Sequence, residues 1–509
     1  MKKYFFSAIV VFCLVPTLFF PLSSDISIFV MAGKLMSQGG SVYKDFVDLK
    51  PPFFYAFYAL IYKIFGSGEF ALRMFDLIWQ SATVYLLYQF VSKITTARAG
   101  LMAAMAYALS YTAIGYNQTM NAESWIGLPL IIIMSLLHSA PEKTSSRIYS
   151  AVLLAIFTAM KYTFGLLFLG YLLIIFDWRS LSKSAKNIVV SGLVFAAALV
   201  LCFFPLLNSG VFEGFLSVTR YLGFHSSTPA INMQWVKSSI INTGLFFGDN
   251  FSLLFSGLLF MGLILSLKGE NYSIFKPTLI FMMALILSVI WERKFMVYHF
   301  SRAYLPFAIL IGFAADRLLA NFKSKSIKQD FSKTLIIGIM CVFGVMLSPL
   351  PRWANTLIPI KLYLTDRNAY NNFYEIPNDN LNLRTTYIKV AEYLNSHCKP
   401  NSKISVMGIG ANLINYFTPS MQHSKFTQSS FYFGNIQMPE WKNDMKKEIS
   451  NADVLVVQTD DGAPIIMGHI YTTNHCLHAD SALVKILNDR FVKVKTIKQF
   501  EIYQKRANP

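Results

Sequence analysis

Charge is what this sequence has least of. Only 14% of its 509 residues are Asp, Glu, Lys or Arg, against 54% hydrophobic and 15% aromatic, and so little polar material excludes a soluble globular protein of this length. Cysteines are few, and three of the five, Cys13, Cys202 and Cys341, lie inside apolar runs where a thiol behaves as a small hydrophobe. Cys398 and Cys476 lie in a polar region, where an oxidising compartment would permit a disulfide. The eight histidines are scattered and no spacing matches a zinc site, so no metal site is assigned. A complete G-x-G-x-x-G is also missing: MGIGANLINYF has only part of that spacing and reads as a tight turn rather than a phosphate-binding one.

Long apolar runs, by contrast, are plentiful. A spanning helix needs about 20 mostly apolar residues, and on that ruler candidates fall near 4–22, 70–91, 99–115, 123–139, 147–160, 163–177, 187–207, 251–267, 277–291, 304–319 and 334–349. The expected fold class is therefore a polytopic α-helical membrane protein with about 11 transmembrane helices. The basic start MKK resembles a signal peptide, but the following run is too long and lacks an A-x-A-like cleavage site, so it reads as a retained helix. The fifth and sixth candidates share one apolar run broken only at Lys161.

Short cytoplasmic loops collect basic residues. Lys2 and Lys3; Lys93 and Arg98; Lys143 and Arg147; Arg179, Lys183 and Lys186; Lys268 and Lys276; and Arg317, Lys323, Lys325, Lys328 and Lys333 fall in alternate loops. These loops face the cytoplasm on this reading, which accounts for the formal charge of +18 and excludes a nucleic-acid partner. The N-terminus is then cytoplasmic and the C-terminus outside. Residues 1–350 form the membrane module, with 23–70 as its first outer loop; 351–509 form a soluble extracytoplasmic α/β domain. Within that domain RTTYIKVAEYLNSHC and ADSALVKILNDR read as helices, KISVMGIG and ADVLVVQT as buried strands, and FVKVKTI with QFEIYQK as a hairpin.

The outward loops carry the chemistry. Four lysines (Lys34, Lys44, Lys50, Lys63) stand between the first two spans, where the charge rule disfavours them. Lys50 precedes Pro51 and Pro52, which stiffen the backbone and start the next helix, so its ammonium is aimed at the headgroup level, where a phosphate would lie. Asp25 follows the first span. It is a candidate general base, or else an N-cap for the helix ISIFVMAGKLMSQ, a role Ser24 fills equally well. Asp45 and Asp48 flank the lysine motif and are candidates for orienting Lys50, binding a sugar, or offering oxygen ligands to a divalent cation. Arg73, Lys161 and Arg302 are further cations for a phosphate, with Arg73 alternatively an interface anchor. Arg293 with Lys294 is either a cation pair for the site or a solvated loop. Glu123 either hydrogen-bonds a sugar or favours the positive end of its own helix. Tyr43 and Tyr55, with Phe53, Phe54 and Tyr58, are candidates for a lipid or sugar groove, or belong to an interfacial aromatic belt.

These residues resemble the bacterial GT-C membrane glycosyltransferases of the protein-O-mannosyltransferase and aminoarabinose (lipid A) transferase type. The resemblance rests on Asp25, AGKLMSQGG, YKDFVDLKPP, IFG at Ile64 to Gly66, ALR at Ala71 to Arg73, the loop TMNAES, Lys161 and HFSRAYLPF. One departure is Ile26, where many relatives carry a second acidic residue after the first aspartate. The resemblance implies transfer of a sugar from a polyprenyl-phosphate donor to a lipid or glycan acceptor, with inversion, outside the bacterial cytoplasmic membrane. Asp25 is then the base, and Lys50, Lys161, Arg73 and Arg302 meet the donor phosphate. Asp45, Asp48, Glu123, Tyr43 and Tyr55 bind sugar or acceptor. The rival function is a multispanning transporter or flippase, but matched halves with interrupted helices are missing.

Overall fold

The computed structural model describes residues 8, 10–207, 210–227, 233–324, 342–376 and 382–506. Lys2, Lys3, Lys325, Lys328, Lys333, Cys341 and the first half of the candidate span 334–349 lie outside the described residues. The chain divides into two compact units. One comprises Met1–Phe20, Gly68–Phe204 and Pro229–Lys361, the other Pro21–Ser67, Pro205–Thr228 and Leu362–Pro509.

The first unit is helical. Each expected span from 70–91 to 304–319 falls on a helix, including Glu69–Ile94, Ala97–Ala113, Leu181–Phe203 and Asn271–Glu292. Among the described residues four helices (Ala122–Ser139, Leu181–Phe203, Asn271–Glu292, Val297–Ala320) are long and apolar enough to cross a membrane, and up to six if two bent pairs each count as one span. The other expected spans are short, like Thr144–Met160 and Tyr162–Ile175, or carry charged side chains such as Arg73 and Asp76, which lower their hydropathy. The run shared by the fifth and sixth candidates breaks as expected: the helix ends at Met160 and Lys161 is extended at φ −155°, ψ 115°. Small residues set the closest helix contacts. A Cβ on Gly312 would sit 2.5 Å from the Ala99 carbonyl oxygen, and such close approach is how helices associate where lipid supplies no hydrophobic drive. One turn away the Arg98 guanidinium pairs with Asp316 at 2.5 Å.

The second unit contains a five-stranded sheet. Its strands are β1 (Lys403–Met407), β2 (Gln422–His423), β3 (Val454–Gln458), β4 (Phe491–Ile497) and β5 (Phe500–Lys505), in the order β2-β1-β3-β5-β4. β1 is parallel to β2 and β3, and the β4–β5 hairpin adds antiparallel to β3. The fully buried β3 run VLVVQ is the apolar stretch expected of a central strand. The helices Arg384–His397 and Ser481–Arg490 form as read from the sequence; Asp480 caps the second by accepting from the backbone N–H of Ala482 and Leu483. Cys398 and Cys476 are free thiols.

The sequence reading grouped residues 23–70 with the membrane module, but in the structure Pro21–Ser67 are built into this second unit. The reason is hydrogen bonding to backbone carbonyls distant in sequence. The Val47 N–H donates to the Lys425 carbonyl at 2.7 Å, Ser24 Oγ donates to the Gly410 carbonyl at 2.5 Å, and Tyr416 Oη donates to the Ser67 carbonyl at 2.5 Å. The helices Ser24–Ser37 and Pro52–Phe65 pack so closely that a Cβ on Gly33 would lie 2.7 Å from the Tyr58 carbonyl carbon.

Candidate active site

In the second unit the chemistry starts at the helix Ser24–Ser37. Its N-cap is Ser23, whose hydroxyl accepts from the Ile26 N–H at 3.3 Å, rather than Ser24 or Asp25. That releases Asp25 from the capping role and leaves it exposed in the first turn, where the helix dipole favours a carboxylate. The loop after this helix presents Lys50 through two buried tyrosines. Tyr43 Oη donates to the Lys50 carbonyl at 2.6 Å, and the Lys50 N–H donates to Tyr55 Oη at 2.9 Å. Tyr55 in turn donates to Asp48 Oδ2 at 2.5 Å. The lysine backbone is thus clamped on both sides, and its ammonium lies 5.5 Å from the Phe29 ring centroid.

Tyr43 takes a left-handed φ of 69°, an uncommon conformation for a bulky residue. Its backbone is buried against the segment 205–228: a Cβ on Gly214 would lie 2.4 Å from the Tyr43 carbonyl oxygen, so only glycine fits there. Asp48 is buried, and burial raises its pKa; the Tyr55 hydrogen bond and the charge of Lys50 lower it, and the charge of Asp25 raises it. One carboxylate therefore feels both Asp25 and Lys50. Asp45 is instead committed to its own turn, accepting from the Ser41 N–H at 2.9 Å.

The first unit holds a second constellation. Lys161, at the break between two helices, pairs with Glu123 and, at 3.0 Å, with Glu292. Arg302 is fully buried and grips Glu292 with both terminal nitrogens, at 2.8 and 3.1 Å, while NH1 also donates to Ser288 Oγ at 2.8 Å and NH2 lies 3.4 Å from Glu123 Oε1. His299 Nε2 lies 3.3 Å from Glu292. A buried charge survives only when paired and hydrogen-bonded, and here two carboxylates balance two cations. Glu123, Glu292 and His299 bring ligand atoms within 4.8 Å of one another, a donor set a divalent cation accepts. Lys161 and Arg302 already neutralise both carboxylates, so the trio fits an ion-pair network better than a resident metal.

Arg73 is also fully buried, but its hydrogen bonds go to the Phe20 carbonyl at 3.1 Å, Thr119 Oγ1 at 2.7 Å and the Tyr116 carbonyl at 3.1 Å. These bonds fix the 116–119 turn. Sequence reasoning overlooked Glu292 and His299, although Glu292 closes an apolar run and His299 stands three residues before Arg302. It also overlooked Asp76 and Gln80, whose signal was a helical spacing of three and seven from Arg73.

Comparison with solved structures identifies the architecture. Over 98% of this chain and 97% of that one, the structure is similar to ArnT from Cupriavidus metallidurans bound to undecaprenyl phosphate, at TM-score 0.60 and 12% sequence identity. The chain shares the fold of that ArnT structure. The apo form of the same ArnT gives a TM-score of 0.59 at 12% identity, with coverage of 98% and 97%. The apo oligosaccharyltransferase of Archaeoglobus fulgidus gives 0.47 at 12% identity, over 90% of this chain and 70% of that one, too low to bear on the fold. In sequence, residues 49–205 match the family described as dolichyl-phosphate-mannose-protein mannosyltransferase. A search of curated proteins finds no match. The expected fold class, mostly helical with long apolar helices and a small C-terminal sheet, is the one found.

Proposed function

We propose that this protein is an integral-membrane glycosyltransferase. It moves a sugar from a polyprenyl-phosphate donor to a lipid or glycan hydroxyl on the outer side of the bacterial cytoplasmic membrane, with inversion at the anomeric carbon. The reading is supported by an exposed carboxylate, Asp25, relieved of capping by Ser23, and by a lysine, Lys50, whose backbone two buried tyrosines clamp.

Asp25 takes the proton from the acceptor hydroxyl as its oxygen forms a bond to the anomeric carbon. The bond from that carbon to the phosphate oxygen breaks, and its electron pair leaves with the lipid phosphate. Lys50 neutralises the departing phosphate, which is electrostatic stabilisation of charge that develops only in the transition state. Asp48 and Tyr55 hold Lys50 in place. Within the first unit Lys161 and Arg302, kept in position by Glu123 and Glu292, are candidate cations for a lipid phosphate, whereas the hydrogen bonds of Arg73 favour a structural duty. The basic loops put the N-terminus in the cytoplasm and residues 351–509 outside.

The test is a transfer assay on membranes with labelled lipid-linked sugars. Asp25→Asn is expected to lower turnover by about 10²- to 10⁴-fold, the usual contribution of a positioned base, and Lys50→Ala by about 10²- to 10³-fold, with normal insertion of both. Full turnover in Asp25→Asn rejects it as the base. A reporter fused after Pro509 should be active only outside the cytoplasm.

A further inference from the structure

The helix Glu69–Ile94 carries Arg73, Asp76, Gln80 and Thr83 on one face, all 0% exposed. A buried polar stripe in an apolar bundle is unfavourable unless its groups are partnered, and the partners of this one lie chiefly on the helix Ala97–Ala113 and on the segment 116–125. Asp76 accepts from Trp125 Nε1 at 3.0 Å and from Tyr111 Oη at 2.5 Å. Gln80 donates to the Ser124 carbonyl at 3.1 Å, while its own Oε1 accepts from Tyr107 Oη at 2.9 Å. Trp79 Nε1 donates to the Trp125 carbonyl at 3.0 Å. Arg73 holds Tyr116 and Thr119 just upstream.

Between these anchors stands Glu123, the carboxylate paired with Lys161. It sits on the helical turn Ala122–Trp125, closed at its start by the reciprocal Asn121–Ser124 capping box. This turn opens the helix Ala122–Ser139, and at a helix start the lateral bonds to Ser124 and Trp125 help decide where Glu123 points.

We infer that Asp76 is a positioning residue of the transferase: through Trp125, Tyr111 and its neighbour Gln80 it sets the Ala122–Trp125 turn, and thereby the Glu123 carboxylate that places Lys161 and Arg302. Asp76 touches no reacting atom on this account and acts only through Glu123. The inference rests on the glycosyltransferase reading for its kinetic consequence, but not for its geometry.

Two measurements on the full-length protein test it. In the transfer assay, Asp76→Asn is expected to lower kcat by roughly tenfold or more while KM for the lipid-linked donor stays within about threefold, because slight misplacement of a charge acts mainly on the chemical step. Gln80→Met, which cuts the parallel tie, should follow it and guards against a folding defect in the first variant. In a Glu123→Gln background, Asp76→Asn should add less than about a twofold further loss. An equal factor in both backgrounds, or a loss of melting temperature with unchanged kcat, overturns the inference. If no lipid-linked sugar is turned over by the wild type, the functional reading fails and the second measurement decides the positioning alone. The ¹⁹F resonance of 5-fluorotryptophan at Trp125, assigned with Trp125→Phe, should shift in both Asp76→Asn and Lys161→Gln. A resonance that answers to Asp76→Asn but not to Lys161→Gln shows that the tie stops short of the charge cluster, and overturns it.

Discussion

The Tyr55 hydroxyl donates to the buried Asp48 carboxylate at 2.5 Å and accepts from the Lys50 backbone N–H at 2.9 Å. One phenol therefore ties the carboxylate to the lysine two residues on, and orients the ammonium proposed to meet the donor phosphate.

Removing that hydroxyl separates the two. Tyr55→Phe leaves Asp48 without its side-chain donor in a buried site, a loss of about 1–3 kcal/mol. The melting temperature should fall and the transfer rate with it. Tyr55→Phe combined with Asp48→Asn should recover part of the stability, because no buried charge remains without a donor, yet recover little of the rate.

The Lys161 pairs are a second case of buried charge. Lys161→Ala leaves Glu123 and Glu292 short of a cation, and breaking a buried pair from one side typically destabilises by about 3–5 kcal/mol. The double variant Lys161→Gln with Glu123→Gln should be more stable than Lys161→Ala. Chemical or thermal denaturation of the purified protein in detergent gives the comparison, and equal stability of the two variants would mean the pair is not buried in the membrane.

Packing of the helices Ser24–Ser37 and Pro52–Phe65 makes a steric prediction. At Gly33 an added methyl meets the Tyr58 backbone at 2.7 Å, where nothing flexible can yield. Gly33→Ala should destabilise by about 1–3 kcal/mol, the range for overpacking, and should impair transfer by displacing Asp25 on the same helix. Gly66→Ala is a useful contrast: no atom lies within 4 Å of its added methyl, and only the positive φ of 80° opposes it.

His423 predicts a pH dependence for the second unit. Burial pushes its imidazole from 6.5 down to about 4, with a smaller contribution from the Lys34 charge, while its Nε2 bond to the Thr418 carbonyl at 3.0 Å pulls it up. The unfolded chain binds a proton below about pH 6.5 and the folded one does not, so stability is full above that pH and declines as pH falls towards 4. The shift sets an upper bound of about 3 kcal/mol. Unfolding monitored between pH 4 and 7 should show this decline, and His423→Gln should flatten it.

How much of this was legible in the sequence differs from element to element. The β1 and β3 strands, the β4–β5 hairpin and the helix Arg384–His397 were readable because periodicity and apolar runs act over a few residues. The helix break at Lys161 was readable for the same reason. Ser23 as the N-cap was missed, since Ser23, Ser24 and Asp25 are all competent caps and backbone geometry chooses among them. The duties of Tyr43 and Tyr55 were missed because each binds the main chain of Lys50 and neither carries a mark of that in its own neighbourhood.

Composition and hydropathy alone determined that this chain lives in a membrane, that its polar chemistry gathers in certain loops, and that an α/β segment follows the spans, because burial of apolar surface is governed by the residues themselves. Tertiary structure alone decided the partners. Glu123 meets Lys161 and Arg302, and Arg73 spends its donors on the 116–119 turn. Pro21–Ser67 bonds, through Val47, a segment at Lys425–Phe426 more than three hundred residues away along the chain. A carboxylate carries the same charge in every context, and only packing determines which cation is close enough to answer it.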